Sequence, residues 1–75
     1  MDSMPFFHAD RVFTIVFLED LSFSEVRTIL DELLAEDAFS PHVLEHRGFY
    51  QIKLDGVSFS VWVSQTEVII QRVVS

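Results

Sequence analysis

Asp55-Gly56 constrains what this chain can fold into more than any other pair of residues. It separates two runs, Phe49–Leu54 and Val57–Ser64, in which apolar side chains alternate with Ser, Gln and Lys. Asp-Gly favours a two-residue turn with both residues at positive φ, whose twist matches that of a hairpin. Such a turn sets the register: Leu54 opposite Val57, Ile52 opposite Phe59, Tyr50 opposite Val61. Strand side chains alternate with period two, so these six share one face, the core face. The other face then carries Phe49 paired with Trp62, among Ser58, Ser60, Ser64, Gln51 and Lys53. A final strand over Val68–Val74 follows a tight turn at Gln65-Thr66. With two residues in that turn as well, Val68 and Ile70 join the core face beside Val63 and Val61, and Ile69 lies beside Trp62.

Residues 11–18, Arg-Val-Phe-Thr-Ile-Val-Phe-Leu, are β-branched and aromatic and read as a strand. Phe13, Ile15 and Phe17 fall on one face, Val12, Val16 and Leu18 on the other. Two apolar faces predict a central strand. Residues 1–9 read as an apolar-tipped lead-in. Beyond the strand, Ser22 and Glu25 have the spacing of a capping box, with Leu21 and Val26 placed as a hydrophobic staple. Phe23, Val26, Ile29, Leu30, Leu33 and Leu34 recur at three- and four-residue steps and form one apolar helical stripe. Pro41 forbids continuation, so the helix is expected to end near Asp37 or Ala38.

Residues 41–47 admit two readings. Ser40-Pro41 fits the cap and first position of a second short helix, with Gly48 past its end; Val43–Arg47 fits a strand, the reading preferred here. The expected fold is α+β: a single helix on a four- to five-stranded antiparallel meander sheet, in β-α-β-β-β order. It is one small domain over residues 1–75. In outline this layout is similar to the cystatin architecture. The Gln-Val-Val-Ala-Gly loop of cystatins is absent, so the resemblance implies no inhibitory residues here.

Composition removes whole classes of function. The chain has no cysteine, which excludes disulfides and thiolate metal sites and suits a reducing compartment. Its longest apolar run is far below a membrane span, and Met1–Ala9 lacks the basic start of a signal peptide. A cytoplasmic location is the expectation. The formal net charge is −7, opposite to what phosphate binding needs, so no direct nucleic-acid partner and no anionic membrane partner is expected.

Chemistry-bearing motifs are weak. His42-Val43-Leu44-Glu45-His46 fits the H-x-x-E-H string of inverted zinc peptidases, in which both histidines must share a helical face. In the strand reading they stand roughly 13 Å apart, at about 3.3 Å per residue. No metal site is expected. Glu19-Asp20, Asp31-Glu32 and Glu36-Asp37 are adjacent carboxylates with no apolar pocket to separate their pKa values. Gly48 and Gly56 are the only glycines, so no phosphate-cradling loop exists. No catalytic residue and no cofactor is expected.

Charge placement is more telling. Between Glu19 and Asp37 lie seven carboxylates and a single basic residue, Arg27, so this segment holds nearly all of the net charge. Glu36 and Asp37 sit at the helix C-terminus, where the dipole disfavours negative charge. Glu25, Asp31, Glu32, Glu36 and Asp37 are therefore the candidate contacts for a protein partner with a basic surface. Phe49, Trp62 and Ile69 are the second candidate, a partner or dimer patch on a sheet face that one helix cannot cover. The expected function is a non-enzymatic acidic binding module, a small inhibitor or immunity-type protein blocking a basic, nucleic-acid-binding surface. Phage anti-defence proteins, anti-CRISPR or anti-restriction, are one class of this size and charge. The alternative is a homodimeric structural or assembly subunit built on the open sheet face.

Overall fold

Asp55 and Gly56 take φ of 50° and 82°, the two-residue turn their identities call for. The computed structural model describes residues 2–17 and 20–73, so Leu18, Glu19 and Val74 of the expectations above lie outside the described residues. Around the turn, β3 (Gly48–Leu54) and β4 (Val57–Val63) pair in the expected register. The next turn, at Gln65-Thr66, is held by Ser64, whose hydroxyl accepts from the amides of Thr66 and Glu67 at 3.4 and 3.1 Å. It delivers β5 (Glu67–Arg72) with Val68 opposite Val63 and Ile70 opposite Val61, as expected.

The N-terminal lead-in is instead a strand. β1 (Asp2–His8) pairs antiparallel with β2 (Arg11–Phe17) across Ala9-Asp10. Alternation in Met4-Pro5-Phe6-Phe7 is masked by consecutive apolar residues, so the strand pattern is hard to see in the sequence. Phe6 turns to the core face and joins Phe13 and Phe39, with ring centroids 5.1 to 6.2 Å apart. Those rings anchor β1 to the rest of the core.

The antiparallel meander holds for β3, β4 and β5 only. The five-stranded sheet is mixed, in the order β1-β2-β5-β4-β3, because β5 lies parallel to β2. The helical segment carries the chain from β2 to the far edge at β3, and two hairpin reversals bring β5 back beside β2 pointing the same way. This central parallel pair departs from the antiparallel meander on which the likeness in outline to cystatins rested.

Helix α1 (Phe23–Ala35) begins with the predicted capping box: the Ser22 hydroxyl accepts from the Glu25 amide at 3.2 Å, and the Glu25 carboxylate accepts from the Ser22 amide at 3.0 Å. Val26, Ile29, Leu30 and Leu33 are buried against the sheet. Phe23 and Leu34 were expected in that stripe and are not in the core; they are 75% and 39% exposed. At about 100° per residue both fall on one flank of the buried stripe, facing β1 rather than the sheet below.

The helix stops before Pro41 has any say. Asp37 has a φ of 57°, its amide donates to Leu34 and the Ala38 amide reaches Leu33 at 3.0 Å. These two bonds are a Schellman motif with Asp37 in the left-handed position, and the buried Ala38 completes it against Leu33. The strand reading of Val43–Arg47 is overturned. α2 (Pro41–Leu44) is a short helix, with Pro41 in its first turn and the Ser40 hydroxyl accepting from the Val43 amide. Proline at the first position and serine before it outweighed the β-branched Val43.

Both helices lie on one face of the sheet. Phe13, Ile15, Phe59, Val61, Val63, Val68 and Ile70 from the sheet meet Val26, Ile29, Leu30, Leu33, Ala38, Phe39 and Leu44 from the helical layer. The other sheet face has no layer over it among the described residues.

Candidate functional site

The sequence pointed to five carboxylates on the helix as one acidic face, and the structure divides them. Glu25 is committed to the capping box. The hydrogen bond from the Ser22 amide, then that from the Ser22 hydroxyl, holds its carboxyl below the ordinary value of 4.5. Asp31 faces Arg27 at 3.5 Å, both side chains exposed; they share the flank that carries Phe23 and Leu34. Asp37 closes the Schellman motif, and its tolerance of left-handed φ supplies a local reason for its presence.

Glu32 and Glu36 are left. Both are exposed, four residues apart, and neither has a hydrogen-bond or ion-pair partner among the described residues. Helical periodicity puts them on the same flank as Glu25, toward β3. Tyr50 of β3 registers the charge of Glu36, not of Glu32. Burial raises its phenol above the ordinary value of 10.0, and the negative charge of Glu36 and then Asp37 raises it further. Like charges four residues apart destabilise a helix by a few tenths of a kcal/mol, and Glu36 also opposes the dipole. Among the described residues no ion pair offsets these costs.

The second candidate holds together better than its three residues suggested. Phe49 pairs with Trp62, and Trp62 with Ile69. The parallel pairing then sets Ile69 beside Val16, and β1 adds Ser3 opposite Val16. One unbroken row therefore crosses all five strands: Ser3, Val16, Ile69, Trp62, Phe49. Phe49 and Trp62 are 52% and 41% exposed, their rings 5.0 Å apart. Phe7 and Val12, opposite one another on the same face, are exposed as well. Sequence reasoning missed Val16, Val12 and Phe7 because it had no strand to pair with β2. The N-terminal segment does not fold over this face; it extends it.

His42 and His46 do approach on the α2 turn, with ring centroids 6.3 Å apart. Both are exposed, and no third metal-ligating group joins them among the described residues. A cavity of about 470 Å³ lies between β1 and α1. It is lined mostly by apolar side chains, among them Met4, Phe6, Phe23 and Leu30, and its only charged residues are the Arg27–Asp31 pair. No described helix is long and apolar enough to cross a membrane. No protein-family model, no curated protein and no solved structure matches this chain.

Proposed function

We propose that this chain is a non-enzymatic, acidic protein-binding module of the inhibitor or immunity type, acting in the cytoplasm. It would dock the Glu32–Glu36 side of its helix on a basic surface of a target. One observation carries the reading. Two exposed carboxylates repel each other near a helix C-terminus, and although the Glu36 backbone is the C-cap, neither side chain has a partner or a capping bond among the described residues. A surface of lysines and arginines on another protein would supply the missing counter-charge. Exposed charges of this kind act mainly on encounter rate and partner choice. Nucleic-acid-binding grooves are such surfaces, and occluding one would inhibit its owner. Antagonism of a nucleic-acid-directed defence, as by anti-CRISPR or anti-restriction proteins of phage, fits this size and charge.

The test is capture from host lysate by the immobilised chain at low and high salt, with the bound protein identified. The Glu32→Gln/Glu36→Gln double variant is run in parallel. Capture of a protein with a basic, nucleic-acid-binding surface, weakened by salt and by the double variant, is expected. Capture indifferent to both salt and the variant contradicts the proposal.

A further inference from the structure

The outer face of the sheet is close to neutral on a molecule that is strongly acidic. Each strand turns three of its residues to that face, and only Glu67 and Lys53 among them are charged. The carboxylates of the helix lie on the opposite side of the sheet. Across the neutral face runs the five-strand row with Trp62 and Phe49 at one end. A basic surface finds only Glu67 as counter-charge here, with Lys53 opposing it, while a second copy of the same face is equally apolar and equally neutral. We infer that this face is a homodimer interface, two sheets packed face to face with the acidic helices pointing outward.

Size and charge both fit. Five strands about 4.8 Å apart and seven residues at about 3.3 Å give a footprint of roughly 24 by 23 Å. That is roughly 550 Å² in projection, which side-chain relief raises toward the roughly 800 Å² per partner of a standard interface. With layers about 10 Å apart, the two helices end roughly 30 Å from each other. That exceeds the Debye length of about 8 Å several times over, so the two acidic layers are screened from one another.

Register selects the symmetry. A twofold axis along β5 would set Glu67 against Glu67 of the second copy. A twofold axis oblique to the strands avoids that like-charge contact.

Edge pairing is the competing way to join two copies, and the sheet hinders it. His8 and Arg11 close a two-residue turn, so Ser3, Pro5 and Phe7 direct their backbone groups away from β2. Pro5, in the middle of that edge, has no N–H to give. At the other edge Lys53 faces outward, a common guard against strand addition.

Sedimentation equilibrium of the full chain over a range of concentrations and two salt levels tests the inference. The parent is expected to dimerise with little dependence on salt. Trp62→Ser should raise the dimer dissociation constant by about tenfold or more. Phe49→Ser should weaken the dimer in the same direction, and a retained far-UV circular dichroism spectrum separates lost association from lost folding. Glu32→Gln/Glu36→Gln should leave the dimer unchanged. A parent that stays monomeric at high micromolar concentration overturns the inference. So does a dimer that survives both aromatic substitutions, or one that dissolves on neutralising Glu32 and Glu36. If the parent is monomeric and Trp62→Ser instead abolishes capture of a foreign protein, the face belongs to that protein and not to a second copy.

Discussion

Glu32 and Glu36 are joined through the backbone and opposed through their side chains. The Glu36 amide donates to the Glu32 carbonyl at 3.1 Å, while the two carboxylates stand on one flank of α1 a single turn apart. The helix gains its last turn and carries an electrostatic penalty at the same place. Other carboxylates of the segment have local duties: Glu25 caps, Asp31 meets Arg27, Asp37 turns the chain. Only where the local duty is missing does a partner become the better account of the charge.

The packing of α1 is tested at Leu30, which is 3% exposed in the centre of the helix–sheet core. Leu30→Ala is expected to cost about 2–5 kcal/mol, from lost transfer free energy and the cavity left behind. Chemical denaturation would show most of a small domain's stability gone. An unchanged midpoint would mean that the helix does not pack as described.

Asp37 offers a substitution in the stabilising direction. Left-handed backbone costs an L-residue about 1–2 kcal/mol, which glycine avoids. Asp37→Gly also removes a negative charge from the helix C-terminus. Glycine gives back part of this gain through its greater freedom in the unfolded chain, leaving an expected gain of about 1 kcal/mol or less. Asp37→Ala keeps the strain and loses the polar side chain, so it should melt below Asp37→Gly. The reverse order of melting temperatures would contradict the Schellman geometry.

The capping box predicts a pH signature. Ser22 holds the Glu25 carboxyl below 4.5 in the folded chain, so the unfolded chain takes up the proton first as pH falls. The stabilisation is therefore complete above about pH 4.5 and lost as pH drops through the folded-state value. Glu25→Gln should be less stable than the parent near neutral pH, with the gap narrowing in acid. Thermal melting of both proteins at about pH 7 and about pH 3 reads this directly. A gap independent of pH would remove the carboxylate from the cap.

Local signals in this sequence were strong and reported the local structure well. Ser22 with Glu25 gave the helix start, Asp55-Gly56 the hairpin and its register, and Pro41 with Ser40 one of two readings for the short helix. The mixed sheet was not legible. Parallel pairing of β2 with β5 joins residues some fifty positions apart, such as Thr14 and Glu67, and depends on where the helical layer delivers β3. The strand character of Met4–Phe7 was hidden for a different reason: two adjacent phenylalanines face opposite sides of an edge strand, which erases alternation. The candidate residues themselves were visible as types, Trp62 and Phe49 as stranded aromatics and Glu36 as a charge at the wrong helix end. Their separation into capping, turn-forming and unpartnered carboxylates needed the backbone.

If Glu32 and Glu36 serve a partner and not the fold, as proposed, their neutralisation in the isolated chain is the most direct measurement. Thermal melting of Glu32→Gln/Glu36→Gln against the parent needs no knowledge of that partner. Relief of the like-charge pair and of the opposed dipole predicts a higher melting temperature, by a few tenths of a kcal/mol for each interaction removed, and a larger difference at low salt than at high salt. A lower melting temperature at low salt would show that these carboxylates serve the fold, and the acidic docking surface would lose its basis.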